Sequence, residues 1–107
     1  MKTGSLIAIS ALLFSTAAVS ADDKAVDALL KKSNCMKCHS VDKKKDGPSF
    51  KDVAAKYKGK ADAENTIYTH ITSMPTIKID GVDEQHDALK TKKEDEARAV
   101  AKWILSR

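Results

Sequence analysis

Cys35-Met36-Lys37-Cys38-His39 is the stretch that decides how this sequence is read. Cys-x-x-Cys-His is the attachment signature of a c-type haem. Two thiols three residues apart, at a helix end, can reach two vinyl groups on one porphyrin edge and form thioethers. The next residue then turns its imidazole towards the iron. Three other chemistries use closely spaced cysteines. A thioredoxin-like redox pair needs a βαβ context, which this sequence lacks. A zinc site needs two further ligands, and beyond the motif only His70 and His86 remain, at irregular spacing. A simple surface disulfide is the third.

Outward from the motif, apolar spacing predicts four helices. Residues 22–32 carry Val26, Leu29 and Leu30 at i, i+3, i+4, with acids in the first turn, where the helix dipole favours them. Residues 49–58 carry Phe50, Val53, Ala54 and Tyr57 on one face, and Gly59 is the stop signal. Residues 61–72 place Ala63, Ile67 and Ile71 on a face beside Tyr68, and His70 next to it reads as structural. Thr91-Lys92-Lys93-Glu94 has the pattern of a capping box opening a last helix with Ala97, Val100, Ala101 and Ile104 inward. Two loops remain, 35–48 and 73–90. The second holds Pro75, Asp80-Gly81 and a brief apolar alternation at Ile77 and Ile79. A loop that long in so small a domain is expected to be functional.

The chain has 107 residues, enough for one small domain. Its two cysteines exclude a disulfide-dense scaffold, and its five aromatics are few for a self-sufficient core. A non-protein group filling the middle fits both facts. Residues 1–21 have Lys2, an apolar run from Leu6 to Phe14, and small residues ending Val19-Ser20-Ala21. That is the make-up of a secretory signal peptide cut after Ala21, leaving residues 22–107 as the mature domain. The apolar run is too short to span a bilayer, so no stable membrane insertion is expected after cleavage. Charge is uneven. Residues 31–60 hold ten lysines against Asp42, Asp46 and Asp52, while residues 61–107 hold seven basic and nine acidic groups. Such a dipolar molecule steers acidic partners. Nucleic acid is a poor match, because no basic strand interleaved with aromatics is present.

The sequence resembles the small bacterial class I cytochromes c of the c-551/c-552 type. The resemblance runs through Cys35-Met36-Lys37-Cys38-His39, Gly47-Pro48-Ser49-Phe50-Lys51-Asp52-Val53-Ala54-Ala55-Lys56-Tyr57, and Ala101-Lys102-Trp103-Ile104-Leu105. It implies an all-α fold of about four helices wrapped around one haem, held by Cys35 and Cys38 with His39 on the iron. It also implies that the Pro48 carbonyl accepts the His39 Nδ1–H, which fixes the ring and raises its basicity. The sixth ligand is where the sequence departs. The family uses a methionine well over forty residues past the haem histidine and fewer than twenty before the matching tryptophan. Met74-Pro75 falls 35 residues after His39 and 29 before Trp103, whereas His86 falls 47 after and 17 before. His86 is therefore the expected ligand opposite His39, with Met74 as the alternative.

With both axial positions filled by protein, the iron can only exchange electrons. The expected function is a soluble periplasmic electron carrier, monomeric and not an enzyme. No Ser/His/Asp set, carboxylate pair or phosphate loop is visible in the sequence. Lys31, Lys32, Lys37, Lys43, Lys44 and Lys45 would orient acidic redox partners in transient, salt-sensitive complexes. Two other functions fit the same motif. One is a haem-based redox or gas sensor whose sixth ligand is displaceable. The other is a dedicated haem subunit of a periplasmic oxidoreductase.

Overall fold

A computed structural model describes residues 4, 10–12 and 21–107. The expected leader, residues 1–21, lies almost wholly outside them. Four helices follow: α1 (Ala21–Lys32), α2 (Phe50–Tyr57), α3 (Ala63–Thr72) and α4 (Glu94–Leu105). A 3-10 turn, Cys35–Lys37, follows α1, and two short strands lie between α3 and α4. Among the described residues the architecture is all-α apart from that hairpin.

The last helix organises the rest. Ala97, Val100, Ala101 and Ile104 are all buried, and α4 packs against α1, α2 and α3. Val26 and Leu30 of α1, Phe50 of α2, and Ile67 and Ile71 of α3 complete the core with Leu89. Trp103 meets Phe50 edge-on, with ring centroids 5.4 Å apart, a favoured aromatic geometry. On the outer side Arg98 joins α4 to α3. It pairs with Glu94 at 2.9 Å and Glu64 at 3.7 Å, and covers the Tyr68 ring at 4.2 Å.

Local signals explain the element ends. The Asp52 N–H donates to Ser49 Oγ at 3.1 Å, so Ser49 caps α2. Gly59, at φ +79°, turns the chain out of α2. The capping box expected at Thr91 does not form. Lys93 is the N-cap, without a side-chain cap bond. Thr91 Oγ1 instead accepts from the Lys93 N–H at 3.1 Å and bonds the Glu96 carboxylate. Glu94 is drawn to Arg98, one turn along the helix, rather than back to Thr91.

The 73–90 segment is not a structureless loop. Thr76–Ile79 forms β1 and Val82–Gln85 forms β2, paired antiparallel with Ile79 opposite Val82. Asp80 (φ 50°) and Gly81 (φ 80°) make the two-residue turn. Positive φ at both positions matches the twist of the flanking strands. Lys78 and Asp83 pair across the hairpin at 2.7 Å. Beyond it the chain is tied down twice. The Leu89 N–H donates to the Ile71 carbonyl at 2.9 Å, and the Lys90 N–H donates to Ser33 Oγ at 2.9 Å.

Candidate functional site

The site begins where α1 ends. Asn34, at φ 58°, takes the left-handed conformation that this residue type tolerates. It directs the chain into the 3-10 turn Cys35–Lys37. The Cys38 and His39 N–H groups both donate to the Cys35 carbonyl, at 3.3 and 3.0 Å. The turn thereby holds both thiols and the imidazole against one cavity. Cys35 and Cys38 are free and half-buried. Burial pushes the Cys35 thiol above its usual range, and the nearby Asp87 carboxylate adds to this.

His39 is positioned from several sides. Its Nδ1–H donates to the Pro48 carbonyl at 2.7 Å. Phe50 stacks on it with centroids 5.2 Å apart. Gly47 lies so close that a Cβ there would sit 2.5 Å from His39 Cε1 and 2.8 Å from Nδ1. The Gly47 N–H in turn donates to the Cys38 carbonyl at 2.8 Å, closing the 39–47 loop on the motif. Burial lowers the His39 pKa, partly offset by the Pro48 bond and reinforced by the neighbouring His86. This favours the neutral ring, and with Nδ1 committed its bare nitrogen is Nε2.

The cavity holds about 500 Å³ and is walled by Leu30, Ile67, Ile71, Ile77, Val100 and Ile104. The wall is mainly apolar, with Asp46, Asp52, Lys56, Lys78, Glu84 and Asp87 also on its lining, an arrangement that suits a flat hydrophobic group carrying polar substituents. A larger open groove of about 890 Å³ runs between α1 and the start of α4. No cysteine or histidine lines it, so it carries none of this chemistry.

The hairpin delivers His86 into the same cavity. The His86 N–H donates to the Pro75 carbonyl at 2.8 Å, and its ring Nδ1–H donates to the Asp87 carbonyl at 2.8 Å. His39 and His86 thus share one arrangement: Nδ1 tied to a backbone carbonyl, Nε2 bare. Their centroids are 6.1 Å apart. An imidazole nitrogen binds a first-row metal at about 2.0–2.1 Å. Two such bonds end to end, with half a ring on each side, span roughly the observed separation. Among the described residues no three His, Cys, Asp or Glu side chains converge to hold an ion by themselves. The zinc alternative therefore lacks a ligand set, whereas the residues present fit a haem.

The other two candidates differ from expectation in opposite ways. Met74 sits at the exit of α3 with φ 51° and is 49% exposed. It is absent from the cavity wall. His70, read from sequence as structural, lines the cavity, and its ring meets the edge of His86 at 4.7 Å. Burial lowers its pKa, with further lowering from His86 and His39. The signal was present in the spacing. His70 lies three residues after Ile67 and one before Ile71, both cavity residues, so a helix turns it to that side.

The profile of the Cytochrome c family matches residues 24–107. Cytochrome c-551 of Pseudomonas aeruginosa is 37% identical over 80 residues, 75% of this chain and 74% of that protein. Cytochrome c-552 of Nitrosomonas europaea is 34% identical over 89 residues, covering 73% and 74%. Among solved structures, class 1 cytochrome MtoD from Sideroxydans lithotrophicus ES-1 superposes with a TM-score of 0.74 at 46% identity. That match spans 78% of this chain and 92% of MtoD. Wild-type Nitrosomonas europaea cytochrome c552 gives 0.59 at 34% identity, over 75% and 96%.

Proposed function

The chain belongs to the cytochrome c family and carries a covalently bound c-type haem, and from that premise we propose a soluble periplasmic one-electron carrier with histidine on both faces of the iron. The haem supplies an Fe(III)/Fe(II) couple. Cys35 and Cys38 anchor it. His39, fixed by Pro48 and hemmed in by Gly47, would bind the iron through Nε2. His86, fixed by Asp87, would bind it through its own Nε2. Leu30, Ile67, Val100 and Ile104 supply apolar wall to the same cavity. With two protein nitrogens committed, no position is left for a substrate, so the chain exchanges electrons and is not an enzyme. One observation carries this reading: His39 and His86 face one cavity 6.1 Å apart, each with Nδ1 bound to a carbonyl.

Partners are acidic redox proteins that dock transiently on a monomer. Lys37, Lys43, Lys44 and Lys45 are exposed around the motif, and Lys45 Nζ bonds the Met36 carbonyl at 2.9 Å. The exposed Met36 adds apolar area beside this charge. Export is supported by the leader-like composition of residues 1–21. No helix among the described residues is long and apolar enough to cross a membrane.

The test is spectroscopic. The ferric protein should be low-spin and lack the weak red charge-transfer band of sulfur–iron ligation, and the reduced protein should not bind carbon monoxide. A sulfur band would restore methionine ligation. Ready carbon monoxide binding would favour a sensor.

A further inference from the structure

Three histidines, not two, face the haem cavity, and they are held very differently. His39 is fixed by Pro48, and His86 by Asp87. His70 makes a ring contact with His86 at 4.7 Å and 66°, and neither of its nitrogens is in a hydrogen bond. It lies at the exposed rim of the cavity wall, against the His86 ring. Its backbone belongs to α3, whose Ile67 and Ile71 are buried in the core on either side of it in sequence. His86 belongs to the end of a two-stranded hairpin. All four residues of β2 are exposed, and the segment is tied back by the His86–Pro75 and Leu89–Ile71 backbone bonds. Segments with few buried contacts open locally at far lower free energy than core helices. Opening the hairpin withdraws His86, while the histidine on α3 stays where it is.

We propose that His70 is a reserve axial ligand, which binds the iron through one of its free imidazole nitrogens when His86 leaves. This rests on the reading of His86 as the resident ligand. No bond other than iron–nitrogen is exchanged: one neutral imidazole replaces another, and no electron or proton is transferred. The consequence is functional. Loosening of the hairpin leaves the iron six-coordinate and closed to small molecules, so the protein remains an electron carrier rather than becoming a gas binder.

The test uses the haem-loaded protein in four forms: wild type, His70→Ala, His86→Ala, and the double variant. His86→Leu, which fills the vacated volume, is a second single variant should His86→Ala fold poorly. The readouts are ferric electron paramagnetic resonance and visible spectra, with imidazole titration. The single His86 variants should stay low-spin with two nitrogen ligands, and the double variant should turn high-spin. Free imidazole should compete with tethered His70 only at about millimolar concentrations or above, and should bind the double variant at least roughly tenfold more tightly. A high-spin His86→Ala and His86→Leu overturns the proposal. So does a low-spin double variant, or a sulfur band in His86→Ala, since each places another residue on the iron. Failure of the underlying reading looks different: a sulfur band in the wild type, which no His86 variant alters.

Discussion

Gly47→Ala probes the link between loop packing and the ligand. An alanine Cβ would stand 2.5 Å from His39 Cε1, 2.8 Å from Nδ1 and 3.0 Å from Nε2. Ordinary carbon contacts lie at about 3.5–4.0 Å, so the ring or the loop must withdraw by roughly 1 Å. The loop is not free to move, because the Gly47 N–H is bonded to the Cys38 carbonyl at 2.8 Å within the motif itself. The ring therefore yields, and the 2.7 Å bond to Pro48 stretches beyond hydrogen-bonding range. Overpacking costs about 1–3 kcal/mol, and the lost bond adds little to this, because the Pro48 carbonyl belongs to an exposed residue that water can reach. For a domain of this size that corresponds to a melting temperature lower by roughly 4–24 °C. The assay is thermal unfolding of the haem-loaded protein by far-ultraviolet circular dichroism and Soret absorbance, beside the ferric resonance spectrum. Gly59→Ala is the control. It has open space at its Cβ but φ +79°, so it carries about 1–2 kcal/mol of backbone strain and leaves the ligand alone. Gly47→Ala should shift both readouts, and Gly59→Ala only the first. A Gly47→Ala protein with wild-type melting and an unchanged ferric spectrum would refute the argument that this approach sets the ring.

Other consequences can be checked separately. Met74→Leu should leave spectrum and potential as in the wild type, because Met74 is half exposed and off the cavity wall; a spectral change on this swap would put sulfur on the iron. Replacing Cys35 and Cys38 together by serine should yield protein whose haem is removed by acid–acetone, with a poorly ordered core, since so small a domain relies on the group at its centre; a folded, haem-retaining variant would contradict this. Reversing the charge of Lys43, Lys44 and Lys45 should slow electron transfer to an acidic protein at low ionic strength, with the difference fading as salt rises. Rates insensitive to both would mean that these lysines are merely a solvated face. Gly81→Val, at φ 80° in the hairpin turn, should speed amide exchange across Thr76–Ile79 and Val82–Gln85 while α4 amides keep their protection.

The helices were legible because their cores are periodic. Ala97, Val100, Ala101 and Ile104 can share a buried face only at 3.6 residues per turn, and all four are buried. The hairpin was harder. Its apolar alternation is two residues long, at Ile77 and Ile79, and β2 reads Val-Asp-Glu-Gln with every position exposed. A strand with no buried face leaves almost no pattern in sequence. What remained was Asp80-Gly81, whose positive φ values are what a two-residue hairpin turn demands. The motif Cys35–His39 was readable because covalent chemistry fixes its spacing. The environment of His39 was not, since Gly47 matters here through what its missing side chain allows to approach. His70 was passed over for a related reason. Its spacing to Ile67 and Ile71 places it at the edge of the inner stripe, but only the packing of α3 with the hairpin brings it against His86.

That packing also explains why His86 reaches the cavity and Met74 does not. His86 reaches the cavity because the chain from α3 to α4 folds back on itself as a hairpin, which returns the Gln85 end of β2 beside Thr76 near the end of α3. The His86–Pro75 backbone bond closes that return at 2.8 Å, and the Leu89–Ile71 bond fixes its exit. The hairpin therefore takes up the residues between Pro75 and His86 without displacing α4, whose core face is set independently by α1, α2 and α3. Met74, at the entrance of the same structure, is left on the outer side with a left-handed backbone. Spacing in the sequence favours His86 over Met74, and hairpin closure brings His86, not Met74, to the cavity wall. If closure is the cause, extending the turn at Asp80-Gly81 by two residues should be tolerated, because added chain at the tip does not alter the Pro75–His86 bond at the base. Removing residues from the strands should not be tolerated, because β1 and β2 would re-pair one residue out of register and Ile77 and Ile79, half-buried at the cavity, would turn outward. Resonance spectra of the two variants, wild-type-like for the insertion and altered for the deletion, would bear this out, and the reverse pattern would show that chain length alone places His86.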